Sequence, residues 1–85
     1  MKTMVIDVNG RGSIFVESNI DRVANKYGMN KVRICDDGII GNVFPTHIQY
    51  TLKCGTLKAL WISFQVGRET RFCICRDTIK IGWAI

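Results

Sequence analysis

Apolar and polar residues alternate along most of the chain, and one segment departs clearly from this pattern. From Ile20 to Tyr27 the apolar residues recur at the i, i+3, i+4, i+7 spacing that lines one face of a helix. Ser18 or Asn19 can cap the first free N–H groups of such a helix, and Gly28 can take the left-handed conformation that ends it. The pattern therefore predicts a helix from about Asn19 to Tyr27.

Before this helix, two short alternating segments flank a turn. Apolar residues occupy every second position from Met4 to Val8 and again from Ile14 to Val16. The segment Asn9–Gly12 lies between them and begins with Asn-Gly, the strongest short-range signal for a β-hairpin. The sequence therefore predicts an N-terminal β-hairpin.

After the helix, the alternation continues almost to the last residue. It predicts strands in five segments, which are Lys31–Cys35, Ile48–Lys53, Leu60–Val66, Phe72–Cys75 and Ile79–Ile85. Gly55 and Gly67 are read as turns, and the last four segments as an antiparallel meander with one apolar face. Together these elements predict a single α+β domain over residues 1–85, with a mostly antiparallel, strongly curved or barrel-like sheet. The apolar final strand also leaves open a homodimer formed through the sheet edge.

Length and composition exclude several classes of protein. The chain has 85 residues, of which 47% are apolar and 22% are charged, close to globular averages and unlike a disordered chain. It is too short for a nucleotide-binding unit joined to a substrate domain, or for a kinase or barrel enzyme. The longest apolar run, Ala59–Ile62, is far below the roughly 20 residues of a membrane helix, and the N-terminus lacks a signal-peptide core. A cytoplasmic protein without contact to a membrane is expected.

Candidate metal-binding and catalytic groups are sparse. The closest cysteines are separated by one residue, whereas structural zinc sites use short pairs such as C-x2-C, so all four are expected to be reduced thiols: Cys35, Cys54, Cys73 and Cys75. His47 is the only histidine, and no nucleophile motif accompanies it. Asp36 and Asp37 precede a glycine and are explained by a turn. We therefore expect no metal, no cofactor and no catalysis.

Charge gives the strongest functional indication. The chain holds 12 Lys and Arg residues against 7 Asp and Glu residues, for a net charge of +5, which favours an acidic or nucleic-acid partner. One polar sheet face is expected to hold His47, Gln49, Thr51 and Lys53 of one strand, Trp61, Ser63 and Gln65 of the next, Arg71 of the third and Lys80 of the last. Such a face can bind single-stranded nucleic acid, because cations contact phosphates and a ring stacks on a base. The candidate nucleic-acid-binding residues are Arg11, Lys31, Arg33, Lys53, Trp61, Arg68, Arg71, Arg76 and Lys80.

Two functions follow from these residues, and the sequence leaves both open. The first is a small accessory or regulatory protein, such as a phage-encoded one, that binds RNA or another single-stranded nucleic acid and catalyses no reaction. The second is an inhibitor that binds a protein, like an antitoxin that blocks a host nuclease or toxin, with Trp61 or the strand of Trp83 as its anchor. An ordinary solvated sheet face accounts for the same polar pattern without either function.

Overall fold

Two helices and four strands make up the part of the chain that the computed structural model describes, which is residues 2–9, 14–37, 43–73 and 78–84. In chain order the elements are β1 (Lys2–Asn9), α1 (Ile14–Tyr27), β2 (Asn30–Asp37), β3 (Val43–Cys54), α2 (Thr56–Glu69) and β4 (Ile79–Trp83). Neither of these helices is long and apolar enough to cross a membrane.

The described strands form one antiparallel sheet in the order β2-β3-β1-β4. Each helix connects a central strand to an edge strand, because α1 leads from β1 to β2 and α2 leads from β3 to β4. This is the split β-α-β arrangement of the ferredoxin-like topology. The predicted α+β class is confirmed. With β2 and β4 at its edges, the sheet is open and is not closed into a barrel.

The predicted helix is confirmed, but it begins earlier than the sequence indicated. α1 starts at Ile14, and its buried residues include Val16 four positions before Ile20. The residues Ile14 to Val16 therefore lie in the first turn of α1, and the predicted N-terminal hairpin is wrong. The second alternating segment was only a few residues long, which is too short to separate a strand from the first turn of a helix.

The end of α1 agrees with the sequence in detail. Gly28 has a φ of 68°, the left-handed conformation predicted for it. The N–H of Met29 donates to the C=O of Ala24 at 2.9 Å, which closes the last turn of the helix. A side chain at position 28 would be strained, because L-residues disfavour this φ.

The segment Leu60–Val66, predicted as a strand, lies inside the helix α2. Its alternation arises because α2 carries two apolar stripes, one buried and one exposed. The buried stripe holds Ala59, Ile62 and Val66, and the exposed stripe holds Leu57, Leu60, Trp61 and Phe64. Even-numbered apolar residues drawn from both stripes imitate the period of a strand.

Predictions at both ends of α2 also need correction. Gly67 lies within the helix and is not a turn, and Gly55 stands at its N-cap in an extended conformation. Phe72 and Cys73 lie in the turn that follows the helix, so the predicted strand over Phe72–Cys75 does not form there. The remaining two positions of that segment, 74 and 75, lie outside the described residues.

Both helices pack on the same face of the sheet and share one hydrophobic core with it. Thirteen of the described residues are buried in it: Met4, Ile6, Val8, Val16, Ile20, Val23, Ala24, Ile48, Tyr50, Cys54, Ala59, Ile62 and Val66. Each large member contributes about 1.5–3 kcal/mol of burial free energy. The opposite face of the sheet has no described element packed over it, and the two faces differ accordingly in chemistry.

Candidate surface for partner binding

The predicted site residues are divided between opposite sides of the molecule. Directly opposed residues of an antiparallel ladder share a face. Ile6 pairs with both Tyr50 and Ile81, so these three residues lie on the face covered by the helices. Residues one position away lie on the other face, which we call the open sheet face. Its described members are Thr3, Val5, Asp7, Asn9, Asn30, Val32, Ile34, His47, Gln49, Thr51, Lys53, Lys80 and Gly82.

The open sheet face confirms part of the expected polar surface. His47, Gln49, Thr51 and Lys53 lie together on β3, and Lys80 joins them from β4, where it is opposite Asp7. The Nδ1 atom of His47 lies 3.4 Å from Oδ1 of Asp7. The expectation that Trp61, Ser63 and Gln65 share this face is wrong, because these residues lie on α2, across the sheet. Arg71, also expected on this face, lies in the turn after α2 and not on a strand.

The chemistry of the open sheet face is polar and weakly apolar. Among the side chains described on it, the one aromatic ring is the imidazole of His47, whereas RNA-recognition modules stack two or three bases on aromatic residues of a four-stranded sheet. Its apolar members include Val32 and Ile34, both exposed at the β2 edge. Its described cations are Lys53 and Lys80, and Asp7 lies on β1, the strand between theirs. Such a face offers phosphate contacts, but among the described side chains it has no Phe, Tyr or Trp on which a base could stack.

Two other candidate cations, Lys31 and Arg33, hold the fold together. Both lie on the helix-covered side of β2, where Lys31 binds Glu17 at 2.8 Å and Asp21 at 2.9 Å, and Arg33 binds Glu17. Burial lowers the pKa of Lys31, but the hydrogen bonds that Lys31 donates to Glu17 and Asp21 outweigh this effect and raise the pKa above its usual value. These ion pairs connect α1 to the β2 edge. They also partly neutralise Lys31 and Arg33, so these residues are less available to a partner.

The remaining basic candidates lie near the end of α2 or outside the described residues. Arg68 is exposed in the last turn of α2, and Arg71 is exposed just after it. The guanidinium carbon of Arg71 lies 5.3 Å from the ring centroid of Phe72. Arg11 and Arg76 lie outside the described residues.

The exposed stripe of α2 is the most unusual surface of the described chain. Leu57, Leu60, Trp61 and Phe64 follow the i, i+3, i+4, i+7 spacing, and each is between 53% and 85% exposed. We call these four residues the α2 stripe. The rings of Trp61 and Phe64 stack with their centroids 5.8 Å apart. Contiguous exposed apolar groups of this size mark interaction surfaces in soluble proteins.

Cations border the α2 stripe. Lys58 is exposed beside Leu57, and Arg68 continues the line of Phe64 one turn later. The one acidic residue of α2, Glu69, is half-buried and lies nearer the core side. An apolar stripe with a basic border is complementary to an apolar surface with an acidic border.

A groove continues the α2 stripe towards β4. Leu60 and Ser63 form its helix side, and Ile81 and Trp83 form its strand side. Its volume is about 190 Å³, somewhat more than the roughly 150 Å³ of an engineered cavity that takes up benzene. Ile81 is 42% exposed and Trp83 is 39% exposed, although both face the helices. The groove therefore has room for one large apolar side chain.

The sequence pattern did not identify several members of this surface. Leu57, Leu60 and Phe64 were missed as site residues, as was Phe72, which is 88% exposed after the helix. Once Thr56–Glu69 is assigned to a helix, these residues can be identified, because the 3.6-residue period separates the buried stripe from the exposed one. The helical spacing of the exposed residues was present in the sequence, but the apolar residues of the buried stripe made it hard to recognise.

The described cysteines form no metal site. Cys54 is buried and Cys73 is half-buried, and both are free thiols. The side-chain amide of Asn19 donates to Sγ of Cys73 at 3.2 Å. Within the described ranges, no three His, Cys, Asp or Glu side chains are grouped so that they could hold a metal ion.

Comparison with known proteins gives no functional assignment. No protein-family model matches the chain, and no curated protein matches it at a significant level. The function must therefore be inferred from the surfaces themselves.

Proposed function

We propose that this protein acts by binding another protein through the α2 stripe. The observation that carries the proposal is the exposure of four large apolar side chains on one helix face, two of them stacked aromatic rings. An aromatic side chain buries about 150–250 Å² when it is covered, and aromatic residues are frequent energetic centres of protein interfaces. Leaving such groups in water is unfavourable, so a partner that covers them gains free energy directly.

The partner is expected to present an apolar surface with acidic residues around it. Lys58 and Arg68 border the stripe, and the whole chain carries a net charge of +5. Complementary charge speeds association and selects among partners, while the apolar contacts supply most of the affinity. An enzyme that handles nucleic acid, such as a nuclease or toxin, is a partner of this kind if acidic residues surround its target surface.

Regulation by binding, without catalysis, is the mode of action that we propose. We place the protein in the cytoplasm as an accessory protein, in keeping with the free thiols of Cys54 and Cys73. An inhibitor of this size would act by covering a functional surface of its target, as an antitoxin does.

Nucleic-acid binding is a second candidate, supported by a different surface. Lys53 and Lys80 are exposed on the open sheet face, on which no described element packs. The two lysines provide contacts to phosphates, and such contacts weaken strongly as salt concentration rises. The two candidates therefore use opposite sides of the molecule, and an experiment can separate them.

Site-specific photocrosslinking in the native host tests the proposal. A photoreactive phenylalanine analogue is placed at Leu57, in the α2 stripe, and in a matched variant at Thr51, on the open sheet face. We expect a protein adduct from Leu57 that survives ribonuclease and raised salt, because apolar contacts are weakly screened. The proposal would be contradicted if adducts formed only from Thr51 and contained nucleic acid rather than protein.

A further inference from the structure

The outer edge of β4 continues the α2 stripe, and no strand among the described residues pairs with it. The N–H of Ala84 donates to the C=O of Thr3 at 2.8 Å, and these residues are directly opposite each other. Hydrogen-bonded and non-hydrogen-bonded pairs alternate along an antiparallel ladder. Lys80 and Gly82 therefore bond to β1, whereas the N–H and C=O groups of the alternate residues, Ile81 and Trp83 among them, point away from the sheet.

The two edges of the sheet differ in their protection against pairing. At β2, Lys31 and Arg33 point inwards to α1, and the register shifts between Ile34 and Cys35. Inward-pointing charges and bulges are features by which natural sheets discourage a new strand. At β4, the inward positions hold the apolar Ile81 and Trp83, and its register with β1 is regular. The β4 edge is thus the more receptive one.

We propose that the partner adds an extended strand to β4, with apolar and acidic residues in alternation. Residues of the added strand opposite Ile81 and Trp83 face the helix side, where the groove beside Leu60 accepts an apolar side chain. Residues opposite Lys80 face the open side, where a carboxylate pairs with its ammonium group. This deepens the proposed function and rests on it, since the added strand lies beside the α2 stripe.

A partner of opposite charge fits this edge better than a second copy does. Lys80 is the one charged side chain of β4. Two antiparallel β4 strands centred on Ile81 would bring two Lys80 side chains onto the same face. Like charges across neighbouring strands are destabilising, and each chain carries +5. A homodimer through the sheet edge is therefore the alternative outcome of the test.

The test uses a fluorescein-labelled nine-residue peptide in which valine and glutamate alternate. A control peptide has the same composition with its glutamates grouped at one end, and a second control carries N-methyl groups on alternate amides. We expect saturable binding of the alternating peptide and slowed amide exchange at Ile81 and Trp83, with no slowing at Val32. Equal binding of all three peptides, or no binding at all, would overturn the proposal. This comparison uses only the wild-type protein.

Two variants of the protein separate backbone pairing from side-chain contact. Ile81→Pro removes an outward N–H that β1 does not use, and edge strands tolerate proline in that orientation. Ile81→Ala removes the side chain and keeps the N–H. Strand addition predicts that the proline variant binds the alternating peptide about tenfold more weakly than the alanine variant, equivalent to about 1.4 kcal/mol. Equal affinities for both variants would contradict it.

The same variants distinguish this inference from the proposed function. If Leu57 still crosslinks to a protein in the Ile81→Pro variant as in the wild type, the α2 stripe is the binding surface and strand addition is wrong. If the peptide binds at β4 but Leu57 captures no protein, the strand proposal stands and the role of the stripe is wrong. A wild-type dimer in sedimentation analysis that Ile81→Pro converts to a monomer would identify a second copy as the occupant of the edge and overturn the proposal.

Discussion

Tyr50 lies in the centre of the sheet with no exposed surface, yet its hydroxyl donates a 2.6 Å hydrogen bond to Asp21 of α1. Asp21 also accepts from Lys31, which in turn binds Glu17. Single residues thus join a core strand, the first helix and an edge strand through one polar network. Burial of Tyr50 and its bond to Asp21 raise the pKa of its hydroxyl. The network explains why two cations of β2 that the sequence assigned to a partner serve the fold.

Replacing Tyr50 with phenylalanine should destabilise the fold by about 1.5 kcal/mol, the lower end of the range for hydrogen bonds to charged groups. The lower end applies because Asp21 keeps its ion pair with Lys31. Urea unfolding measures the change, with Tyr27→Phe as the matched control, since Tyr27 is only half-buried. Equal stability of the wild type and Tyr50→Phe would show that the bond contributes nothing.

The same network gives a pH dependence at alkaline pH. The pKa values of Tyr50 and Lys31 are raised in the folded state above their usual 10.0 and 10.5. The folded protein therefore holds these protons more tightly than the unfolded chain does, and their contribution is fully present below pH 10. We expect the urea midpoint to fall as pH rises above about 10, and to fall less steeply in Tyr50→Phe. A midpoint that rises over this range would contradict the assignment.

At the scale of elements, α2 shows how one segment serves both the fold and a surface. Ile62 is buried against the sheet, and Leu57 and Trp61 point to solvent from the same helix. The helix is therefore apolar on two faces, which stability alone does not require. A helix that only covered the core would carry polar residues where the α2 stripe lies.

The two stripes of α2 should respond differently to truncation. Ile62→Ala should cost about 2–5 kcal/mol, because it leaves a cavity in the core. Leu57→Ala should leave stability within about 0.5 kcal/mol of the wild type, because an exposed substitution removes few contacts. Urea unfolding of both variants checks the ranking. If Leu57→Ala were the more destabilising change, α2 would not be oriented as described.

The elements also show what the sequence could and could not predict. The part of α1 from Ile20 to Gly28 was predicted well because helical spacing and the left-handed Gly28 agree with one another. Ser18 and Asn19, which were predicted to cap the helix, lie inside it instead. α2 was mistaken for a strand because its exposed stripe is apolar, and residues 60, 62, 64 and 66 combine both stripes into an alternating pattern. The misassignment placed Trp61 among the polar residues of the sheet. The exposed apolar stripe disguised the helical signal, as is expected where a surface and a core make different demands on one helix.

At the scale of the whole molecule, the fold separates two chemistries. The face covered by the helices ends in the α2 stripe, which Lys58 and Arg68 border, and in the apolar groove towards β4. The open sheet face presents Lys53 and Lys80 together with Asp7, neutral polar groups and a few aliphatic side chains. The placement of the residues from His47 to Lys53 on a strand, and of Lys80 on the same face, was predicted correctly. Their separation from Trp61 was not, because the position of a helix relative to a sheet depends on packing between distant segments.

The most direct test of protein binding by the α2 stripe is affinity purification from the native host with two double variants. Trp61→Ala/Phe64→Ala removes the stacked rings, and Lys53→Ala/Lys80→Ala removes the cations of the open sheet face as a matched control. Both changes lie on exposed side chains, and circular dichroism confirms that each variant is folded. If the α2 stripe binds a protein, the first variant loses a stoichiometric protein partner, while the second retains it with or without ribonuclease. Retention of the partner by the first variant would contradict binding by the α2 stripe, and so would its loss from the second variant or after ribonuclease.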